Sequence, residues 1–203
     1  MSAGVILAGG RSTRFGDADK AVAELGGVPM IRRVAGRLLT AVDELVVNGR
    51  PDQRERIEAA LDGLEARYAA DPEPDQGPMV GIRTGLAACD ADYAAVVACD
   101  MPFVEPALLE HLLGRAAGRD AAVPRLGDGW YQTTQAVYRA AAMVAGCDRA
   151  RARGEGRIVA AFDGLDVVEV PEAEVREHAE LSTFENLNTP AEFEAAQARF
   201  EAG

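Results

Sequence analysis

The stretch that most constrains this chain runs from Gly4 to Lys20. It is an apolar segment that stops at two glycines and is followed by concentrated positive charge. Gly4-Val5-Ile6-Leu7-Ala8 has no polar face, so it reads as a parallel strand buried between two layers. At Gly9-Gly10 the backbone can turn sharply and bring bare N–H groups close to a ligand. Arg11, Ser12, Thr13, Arg14 and Lys20 then offer the donors that a polyphosphate requires. Of the 21 basic residues only Lys20 is a lysine. Coding bias or adaptation to high salt accounts for scarce lysine, but not for the sole lysine closing a glycine-rich loop, where a compact ammonium group suits a phosphate.

Two familiar phosphate loops do not fit. Lys20 is followed by Ala21 rather than Ser or Thr, and Gly16 lies four residues before it, so the P-loop spacing fails. Gly9 and Gly10 are adjacent, so the dinucleotide fingerprint is absent as well. The pattern Leu7-x-Gly9-Gly10-x-x-x-Arg14-x-Gly16…Lys20 instead resembles the signature of nucleotidyltransferases with a nucleoside-diphosphate-sugar-transferase-like fold. For the two glycines alone, a plain tight turn stands as the alternative.

At 203 residues the chain has the length of one well-packed α/β domain, spanning 1–203. No stretch reaches the length of a membrane span and no charged, apolar leader precedes the first strand. Three cysteines (Cys89, Cys99, Cys147) without a Cys-x-x-Cys argue for a reducing, cytoplasmic setting and against a disulfide framework or zinc site. His111 and His178 are distant in sequence with no ligand-like neighbours, which gives both a structural or surface role. A net charge of −12 excludes non-specific nucleic-acid binding as a main activity. An anion-binding protein of that charge must gather its cations locally, as Arg11, Arg14 and Lys20 do.

Strand and helix patterns alternate from residue 3 to about 117, which predicts an α/β domain with a mostly parallel sheet. Pro29 suits the first turn of a helix carrying Met30, Ile31, Val34 and Leu38 on one face. Residues 45–49, 66–70 and 93–99 read as further strands, and 51–61, 79–89 and 107–117 as helices. Residues 71–78 are too rich in proline for either and read as a shaped lid over a ligand, with a plain surface loop as the alternative. Beyond these come strands at 121–124, 130–138 and 166–170, and helices at 139–153 and 191–200. In a parallel sheet the carboxyl ends of strands open onto the ligand crevice. That makes Asn48 a candidate nucleotide contact, with a plain Asn-Gly turn as the alternative. Asp100, ending the fourth strand, is well placed to hold Mg²⁺, which takes one or two carboxylates and completes its shell with phosphate and water. Its alternative role is a cap for the helix that follows.

Four stretches occur in order: Leu7–Lys20, Gly77-Pro78-Met79-Val80-Gly81, Cys99-Asp100-Met101-Pro102-Phe103 and Asn186-Leu187-Asn188-Thr189-Pro190. Together they resemble the molybdenum cofactor guanylyltransferases, over essentially the whole chain. The resemblance implies a three-layer, Rossmann-like α/β fold with a mostly parallel sheet. It implies transfer of GMP from GTP to the terminal phosphate of molybdopterin with release of pyrophosphate and with Mg²⁺ as cofactor. By the same resemblance Leu7, Ala8, Gly9, Gly10, Lys20, Asn48, Asp71 and Asp100 bind GTP, and Lys20, Asp100 and Arg14 form the catalytic set, with Asp100 also on the metal. Arg157, Asn186 and Asn188 fall on the pterin side, where capping of the last helix is the alternative for one of the asparagines. Molybdenum-insertion and cofactor-accepting proteins are the partners it points to, with no nucleic acid and no membrane. The rival readings are a cytidylyltransferase for the same pterin, a guanylyltransferase for phospholactate or adenosylcobinamide phosphate, and a non-catalytic nucleotide-binding module. Leu-Ala-Gly-Gly favours guanine by resemblance, and retention of Lys20 and Asp100 argues against the non-catalytic module.

Overall fold

The N-terminal apolar run becomes β1 (Ala3–Leu7), and the rest of the chain is laid out on either side of it. The computed structural model describes residues 1–10, 19–72 and 76–201. After a short 3₁₀ turn at Lys20–Val22, β2 (Glu24–Leu25) and β3 (Val28–Pro29) form a small hairpin. Its two-residue turn, Gly26-Gly27, has φ of 54° and 71°, the left-handed geometry that such turns demand. There follow α1 (Met30–Leu38), β4 (Glu44–Gly49), α2 (Arg54–Ala60), β5 (Arg67–Ala70), α3 (Pro78–Ala87), β6 (Tyr93–Ala98) and α4 (Pro106–Ala116). The chain ends with β7 (Ala121–Arg125), β8 (Gln135–Arg139), α5 (Ala140–Ala152), β9 (Val167–Pro171), α6 (Glu172–Val175) and α7 (Pro190–Glu201).

The sheet has seven strands in the order β5-β4-β1-β6-β8-β7-β9. β5, β4, β1 and β6 are mutually parallel, while β8 runs antiparallel to both β6 and β7. Val5 faces Val46 on one side and Val96 on the other. The chain therefore builds outward from β1 to β5, then crosses back to place β6 on the opposite flank of β1. That reversal is a topological switch point, where the carboxyl ends of strands leave a crevice.

Alternation along each strand divides the core in two. Ile6, Leu45, Val47, Ala95 and Val97 face a layer built on Ile31, Val34, Ile57 and Leu108 from α1, α2 and α4. Ala3, Val5, Val46, Ala94 and Val96 face Met79, Ile82, Leu86, Met143 and Cys147 from α3 and α5. The expected small-residue face of α3 lies hard against the sheet: a Cβ on Gly85 would collide with the Val5 side chain.

Several local expectations change. Pro29 ends β3 and precedes α1 rather than opening its first turn. The helix at 51–61 begins as a 3₁₀ turn, Pro51–Gln53, and is α-helical only over Arg54–Ala60. The strand expected at 130–138 is regular only from Gln135, because Gly127 to Gln132 bend into a reversal joined by Leu126 N–H to the Trp130 carbonyl. Glu172–Val175 and the 3₁₀ turns at Ile158–Phe162 and Leu181–Phe184 had no sequence signal of length. His111 and His178 are neighbours after all. Their rings stack at 3.9 Å, and His111 Nε2 lies 2.7 Å from Glu174 Oε1.

Candidate active site

Lys20 is drawn out of water, 7% exposed, where the 3₁₀ turn passes beneath the carboxyl end of β6. Its Nζ donates to Asp100 Oδ2 at 2.9 Å and to Asn188 Oδ1 at 3.2 Å. Residues 80 and 168 positions apart thus meet at one ammonium group. Asp100 lies two residues beyond the end of β6, and its carbonyl accepts from Leu187 N–H at 3.0 Å, which docks the Asn186–Asn188 segment on the same strand end. The helix-cap alternatives do not hold at either place. At α4 the Glu105 N–H donates to Thr183 Oγ1. At α7 Thr189 and Glu192 exchange hydrogen bonds in a capping box, with Glu192 Oε2 also accepting from Asn188 N–H. Those N–H groups hold the Glu192 carboxyl below the usual range, the Asn188 bond contributing most.

A second group forms where β1 and β4 end. Asn48 is fully buried and donates through Nδ2 to Asp71 Oδ1 at 2.7 Å and to the Ala69 carbonyl at 3.2 Å. A Cβ on Gly9 would stand 3.1 Å from Asp71 Oδ2, and one on Gly81 only 2.5 Å from Asn48 Oδ1. Backbone at Gly9 and Gly81 therefore closes on the Asn48–Asp71 pair from two sides. Leu7 and Ala8 tie this group to the first: Leu7 carbonyl accepts from Cys99 N–H, and Ala8 N–H donates to the Asn48 carbonyl.

Supporting residues that sequence reading missed are polar and buried or half-buried. Arg50 Nη1 donates to the carbonyls of Gly9 and Gly10, at 3.3 and 3.0 Å, which fixes the orientation of the glycine loop. Gln53, wholly buried, donates to Asp19 Oδ2 at 2.7 Å and accepts from Arg50 N–H at 3.0 Å, so it joins the start of the Lys20 turn to the end of β4. Tyr68 OH donates to the Arg50 carbonyl. Its burial pushes the phenol up to about 12, so it stays protonated as that donor. Gln135 Nε2 donates to Thr183 Oγ1 at 2.7 Å and anchors the segment that leads to Asn186. The one available signal was an amide at the start of an otherwise apolar strand.

The remaining expected site residues are dispersed or outside view. Arg14, with Arg11 and Gly16, lies outside the described residues, as do residues 73–75 of the expected lid. Asn186 donates to the Phe184 carbonyl at 3.2 Å and does not touch Lys20. Arg157 is exposed at the start of the 158–162 turn. Desolvation raises the Cys99 thiol above its usual range, which disfavours the thiolate there.

The donors present suit Mg²⁺. Asp100 Oδ1 is buried with no hydrogen-bond partner among the described residues, whereas Oδ2 is held by Lys20. No group of three or more His, Cys, Asp or Glu among the described residues is arranged for a metal. A single carboxylate oxygen awaiting a cation matches an ion that draws most of its shell from phosphate and water.

Comparison with known proteins agrees with this geometry. Residues 4–167 match the family model described as the MobA-like NTP transferase domain. A protein of Natronomonas pharaonis named "Probable molybdenum cofactor guanylyltransferase" is 48% identical over 97% of this chain and 96% of its own length. A Haloferax mediterranei protein of the same name is 43% identical over 97% and 93%. The crystal structure of molybdopterin-guanine dinucleotide biosynthesis protein A from Archaeoglobus fulgidus superposes with a TM-score of 0.81 at 27% identity, covering both chains completely. With nearly full-length identity at this level, and with Lys20, Asp100 and Asn188 meeting at one strand end, the chain belongs to the molybdenum cofactor guanylyltransferase family.

Proposed function

We propose that this protein transfers GMP from GTP to the terminal phosphate of molybdopterin, forming molybdopterin guanine dinucleotide and pyrophosphate. One observation carries the site assignment: the only lysine of the chain is buried against a carboxylate whose second oxygen has no hydrogen-bond partner among the described residues. An ammonium group and a metal-ready carboxylate side by side form a receptor for a polyphosphate rather than a structural ion pair. A purely structural pair would leave a buried oxygen unsatisfied for no gain.

The chemistry needs little from side chains beyond position and charge. The acceptor phosphate has a second pKa of about 6, so it is largely ionised at neutral pH and needs no general base. An oxygen of that phosphate bonds to the α-phosphorus of GTP, the bond from that phosphorus to the bridging oxygen breaks, and pyrophosphate leaves with the electron pair. Bringing two anions together is the obstacle, and preorganised positive charge lowers it. Lys20 supplies that charge within a site shielded from water. Mg²⁺, held through Asp100, supplies Lewis-acid neutralisation of the phosphate oxygens. Arg14, at the loop preceding Lys20, adds a further cation in this reading.

Asn48, Asp71 and the backbone at Gly9 and Gly10 take the nucleoside end, because that group lies across β1 from Asp100. Leu7 and Ala8 align the loop between the two ends. Arg157 and Asn186 serve the acceptor in this reading. Molybdenum-insertion and cofactor-accepting proteins are its expected partners. Incubation of the purified protein with Mg²⁺, molybdopterin and either GTP or CTP tests the assignment. Guanine dinucleotide and pyrophosphate should form in equal amounts with GTP and not with CTP. A cytosine product, or no product with either nucleotide, contradicts it.

A further inference from the structure

We propose that Trp130, at the tip of the β7–β8 reversal, is the stacking platform for the planar pterin ring of the acceptor. The inference rests on the reaction assigned above and names a part of the site that the glycine loop and Asp100 leave undefined. It begins with a contradiction. The only tryptophan of the chain is 64% exposed, and its indole stacks on no other ring among the described residues. Yet the turn that carries it is braced on every side.

Trp130 N–H donates to Asp128 Oδ1 at 2.9 Å, and Gly127 N–H to Glu172 Oε2 at 2.8 Å. Arg125 Nε donates to the Gly129 carbonyl, while its Nη1 pairs with Glu169 across the β7–β9 edge at 3.0 Å. Tyr131 hydrogen-bonds the same Glu169 and packs edge-on against Phe162 at 6.0 Å. An apolar ring held out on a rigid arm loses little entropy when it meets a flat partner, so its exposure is suited to recognition.

The position of the arm selects the occupant. β7 is parallel to β6 by way of antiparallel β8, so the reversal rises from the carboxyl edge of the sheet, the edge on which Asp100 lies. Thr134 accepts from Ala98 N–H at 2.9 Å, two residues before Asp100. The four residues from there to Trp130 span at most about 14 Å. The arm stands on the β8 side of Asp100, whereas the nucleoside group at Asn48 stands on the β1 side. Phe162, against Tyr131, closes the same short turn that Arg157 opens. The acceptor carries its reacting phosphate at one end and a fused planar heterocycle at the other. With the phosphate held at Lys20 and Asp100, a heterocycle directed away from the nucleoside group extends past β8 toward the side of the sheet on which Trp130 is exposed. Stacking on an aromatic ring suits a heterocycle whose polar edges are satisfied by water.

A sole tryptophan makes the test direct. Emission of the parent protein is followed on titration with a pterin monophosphate without GTP, with free tryptophan amide as the control for inner-filter loss. Quenching that saturates, beyond the control, is expected. In the transfer assay Trp130→Ala should raise the acceptor KM by roughly 5- to 150-fold, the range of base–aromatic stacking. The GTP KM should stay unchanged, and Trp130→Phe should recover most of the loss. Absence of saturable quenching together with a parental acceptor KM for Trp130→Ala overturns the proposal while leaving GMP transfer intact. If Trp130→Ala keeps normal transfer and loses only delivery of the product to a recipient enzyme, the arm is a protein-docking element and the proposal is equally overturned. Failure of the parent protein to transfer GMP at all would fall on the reaction assignment instead.

Discussion

Asn188 occupies the point at which the two halves of the site touch, because its amide oxygen accepts from the Lys20 ammonium. The sequence pattern assigns it to the acceptor side alone, and on that reading its loss would leave GTP binding nearly intact. The contact predicts otherwise. A hydrogen bond to a charged group is worth about 1.5–3 kcal/mol, so Asn188→Ala should weaken GTP roughly tenfold or more, as well as slow transfer. Calorimetric titration with GTP of the parent and the variant measures this. Unchanged GTP affinity with only a raised acceptor KM would return Asn188 to the acceptor side. Asn186, whose amide is turned to the Phe184 carbonyl, should have the smaller effect on GTP of the two.

At the scale of elements, the site is a set of strand ends held in register by helices that carry glycine where they cross. Gly81 on α3 is the tightest of these crossings that bears on the site. A methyl group there would press on the Asn48 amide, which cannot turn aside without releasing Asp71 or the Ala69 carbonyl. Overpacking of this kind costs about 1–3 kcal/mol in stability. Gly81→Ala should therefore lower the melting temperature modestly and GTP affinity strongly, read by thermal unfolding with and without GTP. A variant with parental GTP affinity would show that the Asn48–Asp71 pair is not a nucleotide contact. Sequence reading pointed to Asn48 and Asp100 because each ends or follows an apolar run, and strand ends in a parallel sheet are where ligands bind; it pointed to Lys20 as the sole lysine, closing a glycine-rich stretch. It located Gly81 only through resemblance. Gln53, Arg50, Gln135 and Thr183 stayed hidden because the contacts that tie them to other elements span 34 to 78 residues, and no local pattern encodes a long-range polar contact. The direction of β8 was hidden for a similar reason. Gln-Ala-Val-Tyr alternates equally well in a parallel or an antiparallel setting, and only the short reversal at Gly127–Gln132 decides.

The whole molecule is strongly acidic, with a net charge of −12, and much of its arginine is paired with carboxylates that tie elements together. Arg83 joins α3 to Asp148 of α5, Arg125 joins β7 to Glu169 of β9, and Arg67 joins β5 to Asp90. Hydrogen bonds from arginine hold Asp148 and Asp90 below the usual carboxylate range, and the Tyr131 hydroxyl and Arg125 do the same for Glu169. Carboxyls that ionise more readily when folded contribute stability above their ordinary range. That contribution is lost as pH falls through their lowered folded values. The melting temperature should thus be level near neutrality and fall below about pH 4, and a rise on acidification through that range would contradict these assignments. The central claim is that Lys20 and Asp100 act together on the reacting phosphates of GTP. Turnover against Mg²⁺ concentration at saturating GTP, for the parent, Lys20→Ala and Asp100→Asn, tests it most directly. Losing one preorganised contact of this kind costs about 10²- to 10³-fold in rate. Lys20→Ala should lose that much at every Mg²⁺ concentration, while Asp100→Asn should lose it at low Mg²⁺ and recover in part as Mg²⁺ rises. Parental turnover for Asp100→Asn with an unchanged Mg²⁺ requirement would contradict the account.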